Sequence, residues 1–173
     1  MSLTPATESD IRSVSMQLGR EARDIVNIAA RCICGNPIVV QTSPRLTDGT
    51  PFPTMYYLTL PAATAALSTL EAQGVMVELQ DRLAAEPEFA EAYERAHESY
   101  LHARAALGDV PEIEGISAGG MPTRVKCLHA LAGHALAAGP GVNLVGDAAL
   151  ELCSWKQNIC QCKPAIDVDV VNQ

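Results

Sequence analysis

The sequence predicts an α+β fold, with a small antiparallel sheet of about three N-terminal strands packed by about five to six helices. Two observations lead to this class. Runs of β-branched residues lie in the first third of the chain, and apolar residues at helical spacing follow from Pro61 onward. A length of 173 residues with 48% hydrophobic and 18% charged residues is typical of one globular domain. We expect a single domain over residues 1–155 and an irregular tail over residues 156–173.

The first third of the chain predicts one helix followed by strands. Apolar spacing of three and four indicates a helix over residues 7–18 that stops at Gly19. β-branched residues on both sides of Gly35-Asn36-Pro37 predict a hairpin with strands near residues 25–33 and 38–42. A turn-rich loop follows, and the run "TMYYLTL" predicts the third strand.

The rest of the chain predicts helices, because proline suits a first helical turn and glycine suits the residue after a helix. Three of them fill the middle of the chain: Pro61 to about Gly74, Val75 to Ala85, and Pro87 to Gly108. Two more are expected, from Pro122 to about Ala138 and from an Asp147 N-cap to about Trp155.

The charge pattern excludes several classes of partner. The net charge is −8 and the pI is near 4.9, so we expect no binding to nucleic acid or to anionic membranes. The sequence lacks a basic start followed by an apolar run, and it lacks a long apolar segment. We therefore expect a cytoplasmic protein. In that compartment the six cysteines should be thiols or metal ligands rather than disulfides.

The segment "GISAGGMPTRVKCLHALAGHAL" predicts an anion site. Gly119 and Gly120 precede the expected helix start at Pro122, where free N–H groups and the helix dipole favour an anion. Arg124 and Lys126 would occupy the first turn, where cations are unfavourable unless a negative group lies nearby. The alternative is that the glycines only turn the chain and that the basic pair contacts acidic side chains.

A second loop, "PRLTDGTPFPT", offers Arg45 and Asp48 for the same anion. An arginine can bind a carboxylate or phosphate with two hydrogen bonds. The alternative is an Asp48 turn together with a structural ion pair of Arg45. If the ligand is a substrate, His97 or His129 would transfer protons. His97 can share a helical face with Glu94 and Arg104, but such spacing is also routine for exposed ion pairs.

The cysteines form weak metal-binding patterns. Cys32 and Cys34 would face the same side of a strand, but neither this pair nor the Cys160–Cys162 pair has the usual zinc-finger spacing. On a continuous helix from Pro122, Cys127 and His129 would point to nearly opposite sides. His134 would lie about 10 Å from Cys127 along the same axis. We therefore expect no bound zinc or iron and no cofactor, with Cys32, Cys34 and Cys127 as the candidate ligands if a metal binds.

Five segments resemble a known bacterial family, the domain of unknown function 501: "RCICGNPIVV", "PRLTDGTPFPTMYYLTLP", "AHESYLHAR", "GGMPTRVKCLH" and "GPGVNLVGD". The resemblance implies an intracellular bacterial protein from a family without an established activity. Genes of this family often lie near cell-division and polyphosphate-metabolism genes. This chain has Leu60 where other branches have a cysteine, and its tail after Leu152 does not match the family.

Three hypotheses of function follow. The first is binding of a small phosphorylated or carboxylated ligand, with or without catalysis, by Arg45, Asp48, Gly119, Gly120, Arg124 and Lys126. The second is a non-catalytic interaction protein linked to cell division, with a protein partner. The third is a metal-binding protein that uses cysteine and histidine ligands.

Overall fold

The structure is a computed structural model that describes residues 3–162. Four strands and six α-helices lie within these residues. The strands are β1 (Thr4–Pro5), β2 (Ile25–Arg31), β3 (Pro37–Thr42) and β4 (Tyr56–Leu58). The helices are α1 (Glu8–Leu18), α2 (Pro61–Ala72), α3 (Val75–Ala85), α4 (Pro87–Ala105), α5 (Leu128–Ala138) and α6 (Leu144–Leu152), with a 3-10 turn at Pro111–Ile113.

The strands form one antiparallel sheet in the order β1-β2-β3-β4, which confirms the α+β class. Every residue of β3 is buried, as expected for a central strand covered on both faces. The edge strand β1 has only two residues, too few for an alternating pattern to reveal it in the sequence.

Helix α1 covers one face of the sheet and is anchored by a buried carboxylate. Thr7 and Asp10 form a reciprocal capping box at its N-terminus. Arg31 of β2 donates from both terminal nitrogens to the Asp10 carboxylate, at 2.6 and 2.9 Å. The ion pair joins α1 to β2 beside a small apolar cluster that includes Val14, Ile28 and Val40.

Helix α5 lies at the centre of the opposite layer, against β4 and α6. A Cβ on Gly133 would lie 3.1 Å from the Tyr56 carbonyl oxygen, so α5 packs closely against β4 at this glycine. The α6 crossing is tighter still. A Cβ on Gly146 would lie 2.8 Å from Ala135 Cβ and even closer to the Leu131 carbonyl oxygen. Glycines at both crossings allow α5 to contact the sheet and α6 at backbone distance.

The predicted start of α5 at Pro122 is wrong, because the helix begins at Leu128. The chain turns at Gly119 and Gly120, which have φ of 68° and 94°. It then folds back, so that the Arg124 N–H donates to Gly120 O and the Lys126 N–H donates to Gly119 O. The second of these bonds spans seven residues instead of the helical four, so the segment is a loop rather than the first turns of α5.

The predicted N-cap of α6 is also wrong. Asn143 caps the helix, and its side-chain oxygen accepts from the Gly146 N–H at 2.9 Å. Asp147 instead accepts from the Gly141 N–H at 2.8 Å and closes the preceding loop. Asn and Asp are both good N-cap residues, so sequence alone did not separate the two positions.

Candidate metal centres

The structure brings four cysteines together at one end of the sheet. Cys32 and Cys34 lie in the β2–β3 turn, and Cys160 and Cys162 lie after α6. Their four Sγ atoms lie within 4.8 Å of one another. The sequence did not predict this cluster, because neither Cys-x-Cys pair has zinc-finger spacing by itself and Cys34 and Cys162 are 128 residues apart. The available signal was the same Cys-x-Cys spacing in two separate segments.

Backbone hydrogen bonds and buried anchors position the two cysteine pairs. In the turn, the Cys32 N–H donates to Asn36 O, and the Gly35 N–H donates to Cys32 O. On the other side, Trp155 is buried in the main core and fixes the chain shortly before the cysteines. The Lys156 Nζ donates to the carbonyl oxygens at the end of α6. These contacts lead the chain back to the hairpin.

The thiols of this cluster differ in acidity. The Asn36 N–H donates to the Cys34 sulfur and lowers its pKa to about 7. Burial raises the pKa of Cys162 to about 12 and also raises the pKa of Cys32. The Cys34 thiolate therefore forms near neutral pH, whereas Cys32 and Cys162 stay protonated unless a cation replaces the protons.

A second cluster lies where the end of α2 meets the start of α5. Glu71 Oε1 lies 3.2 Å from His129 Nδ1, and Cys127 Sγ lies 3.9 Å from the same nitrogen. The Leu128 N–H donates to Glu71 Oε1 at 2.7 Å and thereby fixes the carboxylate. The three side chains are all partly exposed.

The sequence-based expectation that Cys127 and His129 point apart is wrong. It assumed a continuous helix, but Cys127 is the N-cap of α5 and has extended backbone angles, with φ −155° and ψ 108°. The change from extended to helical backbone brings the Cys127 sulfur beside the His129 ring. His134 is not part of this cluster and is buried against Tyr56 and Tyr100.

The second cluster is electrostatically coupled. The hydrogen bond with Cys127 raises the pKa of His129 to about 9, with a further contribution from the Glu71 charge. The same contact lowers the pKa of Cys127. On the far side of the ring, His129 Nε2 lies 3.1 Å from Thr64 O and 3.1 Å from Ser68 Oγ. The Nε2 proton is donated on that side, which leaves Nδ1 to face Glu71 and Cys127.

A family model described as "Protein of unknown function (DUF501)" matches residues 28–151, well over half of the chain. The protein belongs to the DUF501 family. No curated protein and no solved structure matches it. Glu71, Cys127 and His129 lie inside the matched segment, whereas Cys160 and Cys162 lie beyond its end. The four-cysteine cluster of this DUF501 protein is thus completed by residues outside the family match.

Within residues 3–162, two of the predicted anion ligands have structural partners and two are exposed on a loop. Arg45 Nη2 lies 2.6 Å from Glu112 Oε2, and its Nη1 donates to Gly49 O, which is the structural ion pair considered as the alternative. The Asp48 carboxylate accepts from the Thr50 N–H at 2.9 Å and stabilises the turn. Arg124 and Lys126 are exposed on the loop before α5, outside any helical first turn.

The contacts of His97 indicate a structural role. Its Nδ1 lies 2.9 Å from Ser117 Oγ, and burial lowers its pKa. Arg104, expected to share its face, is buried and donates to the backbone oxygens of Ile113 and Ile116. The two residues thereby hold the loop after α4 in place.

None of the helices in residues 3–162 combines the length and apolar character needed to cross a bilayer.

Proposed function

We propose that this protein binds zinc through Cys32, Cys34, Cys160 and Cys162. The observation that carries the proposal is the convergence of their four Sγ atoms within 4.8 Å of one another. Two observations weigh against the expectation that no metal binds. The two Cys-x-Cys pairs, which lack zinc-finger spacing, lie together, and Cys127 lies beside His129.

The sulfur geometry favours a metal over a disulfide. In a tetrahedral zinc site with bonds of about 2.3 Å, neighbouring sulfurs lie about 3.8 Å apart. A disulfide requires about 2.05 Å. The Cys34–Cys162 sulfur distance is 3.5 Å, which is close to the edge of a tetrahedron. Four thiolate ligands select zinc or iron–sulfur chemistry, and a set of four around one ion is typical of structural zinc.

Zinc at this position would have a structural role. It would tie the segment after α6 to the β2–β3 turn, and so connect two parts of the chain 128 residues apart. Four protein sulfurs fill the tetrahedral coordination, so substrate has no position at the ion. Because thiol protons must leave when the metal binds, affinity is expected to fall at acid pH.

Elemental analysis tests the proposal on protein purified without chelators. We expect bound zinc in the parent and one ion fewer per chain in the double variant Cys160→Ser/Cys162→Ser. Cys153→Ser is the matched control, because Cys153 is not part of the cluster and its Sγ donates to the Leu150 and Trp155 carbonyl oxygens, which a serine hydroxyl can also reach. A parent protein without metal, or a Cys34–Cys162 disulfide found by mass spectrometry of the unreduced chain, would overturn the proposal.

A second candidate function is anion binding by Arg124 and Lys126. The observation that favours it is that both basic side chains are exposed on one short loop and, within residues 3–162, neither forms a salt bridge. Arg45, already paired with Glu112, would have to leave that partner to join them. The test is the melting temperature with phosphate, pyrophosphate or polyphosphate against chloride at equal ionic strength. Arg124→Ala/Lys126→Ala should abolish any specific rise.

A further inference from the structure

We propose that Glu71, Cys127 and His129 form a second metal site, which takes a zinc-class divalent cation and leaves one coordination position open to solvent. This site lies between the end of α2 and the start of α5. It shares no residue with the four-cysteine cluster. The proposal is therefore independent of the proposed function and can stand or fail without it.

The distances between donor atoms match one tetrahedral ion. With zinc bonds of about 2.0 Å to oxygen, 2.1 Å to nitrogen and 2.3 Å to sulfur, the O–N edge is about 3.4 Å and the N–S edge about 3.6 Å. The corresponding distances are 3.2 Å from Glu71 Oε1 to His129 Nδ1 and 3.9 Å from Nδ1 to Cys127 Sγ. Small side-chain movements would therefore bring all three donor atoms within bonding distance of one cation.

The surroundings of His129 orient it as a metal ligand. A ligating histidine usually donates its other ring N–H to a carboxylate, a backbone carbonyl or water. His129 Nε2 has the Thr64 carbonyl oxygen and Ser68 Oγ in that role, both at 3.1 Å. A cation that displaces the Nδ1 proton would leave the proton on Nε2 and bind the Nδ1 lone pair, which faces the space between Glu71 and Cys127.

The same geometry argues against a cysteine nucleophile activated by a histidine–carboxylate pair. In such a triad the carboxylate holds one ring nitrogen while the other nitrogen contacts the nucleophile. Here Glu71 and Cys127 both approach Nδ1. Two acceptors at one nitrogen compete for a single proton, whereas they suit one cation placed between them.

The charge and the exposure of the three side chains also suit a divalent cation. The Glu71 carboxylate and the Cys127 thiolate balance the two charges of the cation, with His129 neutral. The His129 and Glu71 side chains are 26% and 25% exposed, so water reaches the site. Three protein ligands with solvent in the fourth position are the pattern of catalytic rather than structural zinc, and such an ion lowers the pKa of its bound water.

Metal counting in the full chain separates the two sites. Saturation with Zn²⁺ and gel filtration should leave two ions per chain in the parent, and one ion in His129→Ala or Glu71→Gln. Glu71→Gln keeps an oxygen that accepts from Leu128 N–H, so the fold is preserved. His102→Ala and Glu78→Gln are the controls, because both residues are exposed on helices outside the clusters. They should retain both ions.

Thiol labelling supplies the second readout. Iodoacetamide should alkylate Cys127 at least tenfold more slowly in Zn²⁺-saturated parent than in metal-free parent, with no such protection in His129→Ala. An equal metal count in the parent and His129→Ala, or rapid Cys127 labelling despite saturating Zn²⁺, would overturn this proposal. If the four-cysteine centre alone fails, Cys160→Ser/Cys162→Ser will leave the metal count unchanged while His129→Ala still lowers it.

Discussion

The buried histidine of α5 should make the protein lose stability in mild acid. His134 is only 1% exposed and lies between Tyr56 and Tyr100, with ring centroids at 5.8 and 5.2 Å. The Asn143 side-chain oxygen accepts from Gly146 N–H, so its amide nitrogen donates to His134 Nδ1 at 3.2 Å. Burial lowers the pKa of His134 to about 4. The folded state therefore holds a neutral ring.

The expected magnitude follows from proton linkage. An unfolded histidine has a pKa of about 6.5, so below that pH the unfolded chain binds a proton at His134 that the folded chain does not bind. This contribution is fully present above the unfolded pKa and is lost as the pH falls toward the folded value. Between pH 7 and pH 5, the free energy of unfolding should fall by about 2 kcal/mol from His134 alone.

Urea unfolding of the parent and of His134→Gln at pH 7 and pH 5 measures this contribution. The Gln side chain keeps an oxygen that can accept from Asn143, but it does not titrate. Other ionisable groups, including both metal clusters, are common to the two proteins and cancel in the difference of their pH effects. Equal losses of stability in the parent and in His134→Gln between pH 7 and pH 5 would refute the reasoning.

Three further predictions concern packing, charge and metal. Gly146→Ala should lower the free energy of unfolding by about 1–3 kcal/mol in urea, since its Cβ would overlap α5; unchanged stability would show that α6 shifts freely. Asp10→Asn should cost about 1.5–3 kcal/mol at neutral pH by weakening the charged hydrogen bonds from Arg31, which lower the Asp10 pKa. That cost should shrink in strong acid, where the parent carboxylate also protonates; a pH-independent cost would contradict the assignment. Chelator should lower the melting temperature of the parent more than that of Cys160→Ser/Cys162→Ser, which keeps only the Glu71–Cys127–His129 site, and an equal shift in both would argue against stabilising zinc at the four-cysteine cluster.

The sequence by itself determined much of the fold, because local signals act between near neighbours. Helix α3 spans Val75–Ala85, as predicted, since Gly74 and Pro87 border it and the apolar period lies between them. Gly19 ends α1 in the left-handed conformation that a glycine favours. The family was also recognisable, because each resembling segment is a short contiguous run of the sequence, and the family model matches residues 28–151.

Only the tertiary structure decided the candidate metal centres. The Lys126 N–H donates to Gly119 O, seven residues back rather than the helical four, and α5 begins only at Leu128. That delay places Cys127 in extended backbone and turns its sulfur toward His129, while α2 supplies Glu71 from more than fifty residues away. The cysteine pairs meet because a buried Trp155 directs the chain after α6 back to the hairpin. Periodicity and residue spacing describe neighbours along the chain, whereas a metal centre depends on distances that packing alone sets.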